Sequence, residues 1–200
     1  MQKFKLLERE EFFNEFSISE DYFTETGLNW KDLHDIYLNY SSLIPYLEKE
    51  AEHIFSKLRD VPNVHSVRRR VKKPKHLIEK IIRKGKKYSE QGINAENYKS
   101  IVTDLIGIRV LHLFKDDWQE IHKEITRLWD TKETPQVNIR RGDYNLDTLR
   151  ENIKDLNCDI ILGSMVIDLY TTLLGFPFQR MKRFLWRSRS ERYLKKPGVR

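Results

Sequence analysis

Two stretches decide the fold of this 200-residue chain: Ser66–Gly85 (SVRRRVKKPKHLIEKIIRKG) and Thr103–Phe114 (TDLIGIRVLHLF). The first opens with small apolar and basic residues in alternation, which predicts a strand over Val64–Lys72. Pro74 suits the first position of a following helix, whose apolar residues fall on one face. The second stretch is rich in β-branched residues and predicts a buried strand over Ile101–Phe114, with a turn at its start. Strands and helices therefore mix in this part of the chain.

The sequence on either side of these two stretches also predicts helices and a strand. Apolar residues recur three or four apart between residues 8 and 60 and predict helices, one of them capped by Asn29. Lys86–Ser100 is polar and predicts a loop. Further on, the pattern predicts a helix, a strand and a helix, over Asp116–Trp129, Gln136–Arg141 and Leu146–Leu156. The predicted fold class is α+β (α/β-like), a mixed β-sheet flanked by helices, with an N-terminal helical segment.

Composition narrows the class of protein. The chain has no run of about eighteen apolar residues, so we expect no membrane association. Its single cysteine, Cys158, fits a reducing cytoplasm. Nine Lys or Arg but only two acids lie in Met165–Arg200, which accounts for the whole net charge of +7. That tail interleaves Arg with aromatic residues, so a basic RNA-binding or regulatory protein is one interpretation.

Three basic residues form the first candidate site. Arg70 and Lys72 alternate along the predicted strand and so point to one face. Lys80 follows eight residues after Lys72, on the next helix, and could reach the same place. Converging cations suit a polyphosphate, because its oxygens take charge-assisted hydrogen bonds. The alternative is a solvated basic face.

A second candidate site lies at the start of the buried strand. Asp104 stands at its mouth, where a carboxylate could hold Mg²⁺, which prefers oxygen ligands and bridges to phosphates. Gly107 would let backbone or ligand approach closely. Arg109 falls in the apolar run, where it would pair with Asp104 or with a phosphate. A turn aspartate with a structural ion pair is the alternative. Another nucleotidyltransferase with a related fold is a further alternative. Such enzymes generally use a close pair of carboxylates, however, and Asp104 has no second aspartate in a D-x-D pattern.

Together these residues resemble the synthetase domain of the RelA/SpoT family, over roughly Phe55–Leu156. They follow its pattern R-x-K, a lysine eight residues on, then D-[LI]-x-G-[IV]-R-[VI]; one departure is His76, where many members have serine. The resemblance implies a nucleotidyltransferase-like fold and a cytoplasmic GTP diphosphokinase of guanosine tetraphosphate metabolism and the stringent response. Such an enzyme transfers pyrophosphate from ATP to the 3′-hydroxyl of GTP or GDP, with Mg²⁺ as cofactor.

The resemblance also implies roles for individual residues. Arg70, Lys72 and Lys80 would contact ATP phosphates, Asp104 would bind Mg²⁺, and Arg109 is a candidate catalytic residue. ATP and GTP or GDP are the expected partners, whereas nucleic acid and membrane are not expected. An intact member of the family can assemble as an oligomer.

Two further motifs of the family do not occur: G-Y-R-S-[IL]-H, which holds the guanine, and E-[VI]-Q-[VI]-R-T, which carries the catalytic glutamate. In their place the chain reads GSMVIDLYTTLLGFPFQRMKRFLWRSRSERYLKKPGVR, from Gly163 to Arg200. Permissible codons for this stretch, read in one other frame, spell H-G-Y-R-S-I-H and then E-V-Q-V-R-T. We therefore hypothesise a one-nucleotide frameshift near Ile160–Ser164; a genuine divergent tail is the alternative.

The frameshift hypothesis divides the chain into three parts. They are an N-terminal helical segment (1–60), a partial RelA/SpoT synthetase domain (61–162) and an out-of-frame basic tail (163–200). We expect the chain as written to be inactive, because the guanine-binding motif and the catalytic glutamate are missing. We also expect a disordered or loosely helical C-terminus, which would leave Ile108, Val110 and Leu113 partly uncovered.

Overall fold

A computed structural model describes residues 7–102, 104–114, 116–131, 134–140, 145–163, 168–172 and 182–188, with backbone alone at 140, 163, 168–172 and 182–188. The first elements are helices, as predicted: α1 (Arg9–Phe16), α2 (Glu20–Glu25) and α3 (Trp30–Arg59). The side chain of Asn29 accepts a hydrogen bond from the Lys31 amide at 2.8 Å. Because the first amides of a helix lack partners within it, this bond stabilises the start of α3 and confirms the predicted cap.

The next elements are a strand and three helices. They are β1 (Ser66–Val71), α4 (Pro74–Arg83), α5 (Gly85–Glu90) and α6 (Tyr98–Ile101). The strand and the helix opened by Pro74 are confirmed. The loop predicted over Lys86–Ser100 is wrong in part, since α5 and the start of α6 lie within it. Tyr88 and Tyr98 are buried in the core, and this packing outweighs the polar character of their neighbours.

The remaining elements follow the predicted order as far as Leu156, whereas the three strands after it were not predicted. They are β2 (Ile106–His112), α7 (Asp117–Leu128), β3 (Gln136–Arg140), α8 (Leu146–Asn152), a 3₁₀ turn (Lys154–Leu156), β4 (Asp159–Gly163), β5 (Asp168–Thr172) and β6 (Lys182–Ser188). The last predicted helix is divided, because α8 ends at Asn152 and a 3₁₀ turn continues to Leu156. Within the described residues, no helix is long and apolar enough to cross a membrane.

The described strands form a mixed sheet in the order β1-β2-β6-β5-β3-β4. β2 and β6 are parallel, as are β3 and β4, while β1 is antiparallel to β2, and β5 is antiparallel to both β6 and β3. The fold is therefore α+β with a mixed sheet, as predicted. Buried side chains from α1 to the 3₁₀ turn belong to one hydrophobic cluster that crosses residue 60. The predicted three-part division stays a prediction.

The two faces of the β1–β2 pair differ in character. Val67 is paired with Val110, and Arg69 with Ile108, on the face that packs against α3. Arg69 reaches two glutamates of α3, Glu48 and Glu52, each at 2.6 Å. The opposite face carries three arginines, because Arg68 is paired with Arg109, and Arg70 with Gly107. We call Arg68, Arg70 and Arg109 the basic face.

The C-terminal part differs from the prediction. The expectation of a disordered or loosely helical C-terminus is wrong for 168–172 and 182–188, which are strands β5 and β6. β6 is paired with the whole of β2 through backbone hydrogen bonds, which do not depend on particular side chains. Ile108 and Val110 are 2% and 1% exposed, contrary to expectation, whereas Leu113 is 46% exposed. The rest of the predicted out-of-frame tail after Gly163 lies outside the described residues.

Candidate functional site

Asp104 lies between two lysines just beyond the paired ends of β1 and β2. Its Oδ1 is 2.5 Å from Nζ of Lys80, and its Oδ2 is 3.1 Å from Nζ of Lys72. Lys72 directly follows β1, and its amide donates to the Leu105 carbonyl at 2.9 Å. Lys80 projects from α4, whose Leu77, Ile78, Ile81 and Ile82 are buried. The strand and the helix thus bring together three of the residues that the sequence predicted as a site.

The three charged groups are largely removed from water. The side chains of Lys72, Lys80 and Asp104 are 15%, 14% and 15% exposed. Burial alone would raise the pKa of Asp104, but the hydrogen bond from Lys80 and the charges of Lys80 and Lys72 outweigh it. The net effect holds that pKa below its ordinary value, so Asp104 is ionised at neutral pH. The cluster therefore carries two positive charges and one negative charge.

Arg70 lies on β1, two residues before Lys72, and its side chain lies against Gly107 of β2. A Cβ added at Gly107 would stand 3.1 Å from Nε and 3.3 Å from Cγ of Arg70. The arginine side chain therefore lies across the glycine of the neighbouring strand, where the sequence predicted the approach of backbone or ligand instead. Arg70 is exposed on the basic face, where its guanidinium is open to solvent.

Arg109 lies apart from Asp104. It is half-buried on the basic face, opposite Arg68 in the register of β1 and β2. The ion-pair partners of Asp104 among the described residues are Lys72 and Lys80, so Arg109 does not form the pair that the sequence allowed. It adds a positive charge on the face that carries Arg70.

Two tyrosines near the site carry no sequence motif that would predict a functional role. The hydroxyl of Tyr40 on α3 donates to the Lys72 carbonyl at 2.7 Å. Burial raises its pKa, as do the charges of Tyr98 and Asp104. Burial also raises the pKa of Tyr88, followed by the charge of Asp104. The only sequence signal for Tyr40 is its place in the apolar stripe of α3, which does not reveal where its hydroxyl points.

The possible metal ligands of the site can be compared with those that Mg²⁺ prefers. Within the part of the chain that the structure describes, no group of three or more His, Cys, Asp and Glu could hold a metal ion. Mg²⁺ commonly takes one or two carboxylates and completes its shell with water and substrate phosphates. Asp104 alone fits this pattern, provided that Lys72 and Lys80 turn from its oxygens towards phosphates. The residues present thus suit a Mg²⁺ ion that arrives together with a polyphosphate.

Comparison with known proteins places the chain in context. Among curated proteins no match is found. Solved structures that resemble it include the small alarmone synthetase 1 of Bacillus subtilis, at 18% identity and a TM-score of 0.44, covering 74% of this chain and 70% of that one. The same synthetase bound to its product pppGpp gives 19% identity and a TM-score of 0.41, over 74% and 72% of the two chains.

A further likeness is to a GTP pyrophosphokinase family protein of Streptococcus pneumoniae, at 15% identity and a TM-score of 0.35, over 80% of this chain and 70% of that one. The family comparison covers the site itself. Residues 69–163 match the family model described as "Region found in RelA / SpoT proteins", and this range includes Arg70, Lys72, Lys80, Asp104 and Arg109. Residues 69–163 of the chain are therefore similar to the region found in RelA and SpoT proteins.

Proposed function

We propose that this chain is a (p)ppGpp synthetase-type protein, whose reaction transfers pyrophosphate from ATP to the 3′-hydroxyl of GTP or GDP. The observation that carries the proposal is the convergence of Lys72 and Lys80 on Asp104, with Arg70 on β1 two residues before Lys72. Three cations and one carboxylate at the end of a strand suit a triphosphate with its Mg²⁺. The family match over residues 69–163 supports the same function.

The ion pairs of the cluster suggest how ATP would be held. Both lysines now donate to Asp104, which keeps the ammonium groups close together before any phosphate arrives. A triphosphate would compete for these donors, because it carries more negative charge than one carboxylate. With Lys72 and Lys80 donating to phosphate oxygens instead, Asp104 would be the residue that holds Mg²⁺. The metal would neutralise charge on the phosphates during transfer.

The reaction needs groups besides those proposed to bind ATP and Mg²⁺. The 3′-oxygen of the acceptor attacks the β-phosphorus of ATP, the bond from that phosphorus to the α–β bridging oxygen breaks, and AMP leaves. The proton of the 3′-hydroxyl must pass to a base, and the family's glutamate for this role is absent from the sequence. The motif for the guanine base is absent too. We therefore propose that the chain as written binds MgATP but turns over weakly or not at all.

An assay that separates and quantifies the nucleotide products tests this proposal. ATP binding by the purified chain is measured by titration in Mg²⁺. The chain is then incubated with ATP, Mg²⁺ and GTP or GDP, and AMP and 3′-pyrophosphorylated guanosine nucleotides are quantified. We expect ATP binding without product, and product from a chain in which the alternative frame is restored after Ile160. Turnover by the written chain at the rate of the restored one would refute the inactivity. Failure of both chains to bind ATP would refute the proposed function.

A further inference from the structure

We infer that Tyr40 is a positioning residue for the phosphate site, acting through the backbone of Lys72; the inference rests on the proposed function. The hydroxyl of Tyr40 is 2.7 Å from the Lys72 carbonyl and 3.5 Å from the Leu105 carbonyl. A hydroxyl carries one proton, so the short contact is the hydrogen bond. Leu105 follows Asp104, so the side chain of Tyr40 contacts both segments that supply the ion pair between Lys72 and Asp104.

The hydrogen bond from Tyr40 to Lys72 lies just beyond the paired ends of β1 and β2. The paired register of β1 and β2 ends at Val71 and Ile106. Lys72 and Asp104 lie beyond that last pair, where the bond from the Lys72 amide to the Leu105 carbonyl continues the pairing. A long lysine side chain has many rotamers, so its ammonium stays near one place only if its backbone is fixed. The Tyr40 hydroxyl restrains the Lys72 backbone through the hydrogen bond to its carbonyl.

Tyr40 itself is held firmly. Its side chain is completely buried, and its ring meets that of Tyr98 edge to face, with centroids 6.2 Å apart and an interplanar angle of 89°. Burial raises the pKa of its hydroxyl, so the group stays protonated and remains a donor throughout the neutral range. A rigid, always protonated donor suits the task of fixing one carbonyl.

Tyr98 offers a matched control. It is buried to the same extent, and its hydroxyl donates one hydrogen bond, to Oδ1 of Asn39 at 2.9 Å. Tyr40→Phe and Tyr98→Phe each keep the ring and remove one buried hydroxyl, but only the first change removes the bond to Lys72. Each protein is examined by hydrogen exchange at the Lys72 amide, measured against amides inside β1, and by ATP titration in Mg²⁺.

The expected result separates positioning from general stability. Tyr40→Phe should speed exchange at the Lys72 amide relative to β1 and weaken ATP binding about five-fold, the effect of one hydrogen bond. Tyr98→Phe should leave both quantities within about two-fold of the unaltered chain. Equal exchange and equal ATP affinity in the two variants would overturn the inference. If the unaltered chain binds no ATP, the proposed function fails, and exchange at Lys72 alone decides whether Tyr40 fixes this backbone.

Discussion

Nζ of Lys80 lies 2.5 Å from Oδ1 of Asp104, although 24 positions separate the two residues in the sequence. The other carboxylate oxygen is held by Lys72, so the aspartate is neutralised from two elements at once. This arrangement keeps two ammonium groups together that would otherwise repel each other. We expect nucleotide phosphates to replace the carboxylate as the partner of both lysines.

Replacing Asp104 by Asn should destabilise the fold in a pH-dependent way. At neutral pH the change removes the carboxylate that pairs with two largely buried ammonium groups, which costs about 3 kcal/mol. The folded state holds the pKa of Asp104 below 3.8, its ordinary value. The stabilisation is therefore complete above pH 3.8 and is lost as the pH falls through the lower, folded pKa.

Urea unfolding of the unaltered chain and of Asp104→Asn, followed from pH 7 to pH 3, measures this difference. The gap between the two free energies of unfolding should narrow below pH 3.8. The same change at the exposed Asp155 is the control and should produce a small gap at every pH. A gap for Asp104→Asn that does not change with pH would show that the ion pairs do not stabilise the fold.

Gly107→Ala should disturb ATP binding without much effect on stability. The added Cβ would press on the side chain of Arg70, which can move aside at small cost. Alanine also suits a strand better than glycine, so the free energy of unfolding should change by less than about 1 kcal/mol. Displacement of the guanidinium should weaken ATP binding about three-fold.

A double-mutant cycle with Arg70→Ala tests whether that effect passes through the arginine. In the background of Arg70→Ala, the glycine substitution should have no further effect on ATP affinity. The same three-fold loss in both backgrounds would mean that Gly107 affects the site by a route that does not involve Arg70.

The stability of the chain should fall as the pH drops below neutrality, because of two buried histidines. His122 donates from Nε2 to the Leu156 carbonyl at 2.8 Å, and His112 donates from Nδ1 to the Phe114 carbonyl at 2.7 Å. Burial lowers the pKa of both below 6.5, although the hydrogen bonds oppose this. Below pH 6.5 the unfolded chain takes up protons that the folded chain does not.

The free energy of unfolding should then decline by at most about 1.4 kcal/mol per pH unit for each histidine, until the folded pKa is reached. Thermal or urea unfolding between pH 7.5 and pH 5.5 measures the slope. His122→Gln keeps an amide donor and should make the slope shallower. An unchanged slope in that variant would show that His122 does not titrate differently in the folded and unfolded states.

Sequencing the coding DNA across Asn157–Leu169 tests the frameshift hypothesis. We expect that one inserted or deleted base restores a frame containing H-G-Y-R-S-I-H and E-V-Q-V-R-T. A chain translated in that frame should form 3′-pyrophosphorylated guanosine nucleotides. A DNA sequence whose only open frame gives the written tail, with neither motif in the other frames, would favour a genuine divergent tail.

Much of the candidate site could be predicted because it depends on short-range geometry. Alternation along a strand places Arg70 and Lys72 on one side, and a proline-started helix presents Lys80 within reach. The contact between Tyr40 and Lys72 could not be predicted, since 32 positions separate them and a helical stripe does not reveal the direction of a hydroxyl. The pairing of β6 with β2 could not be predicted either. It depends on backbone hydrogen bonds, and these do not require a recognisable sequence motif.

Titration of the purified chain with ATP in the presence of Mg²⁺ tests the central claim, that Lys72, Lys80 and Asp104 form a phosphate site. Lys80→Met removes a cation of the cluster, whereas Lys75→Met removes a cation of the same helix that is paired with Glu11 and Glu15 of α1. We expect Lys80→Met to weaken ATP binding about ten-fold or more, and Lys75→Met to leave it nearly unchanged. Equal affinities in the unaltered chain and in both variants, or no binding by the unaltered chain, would contradict the claim.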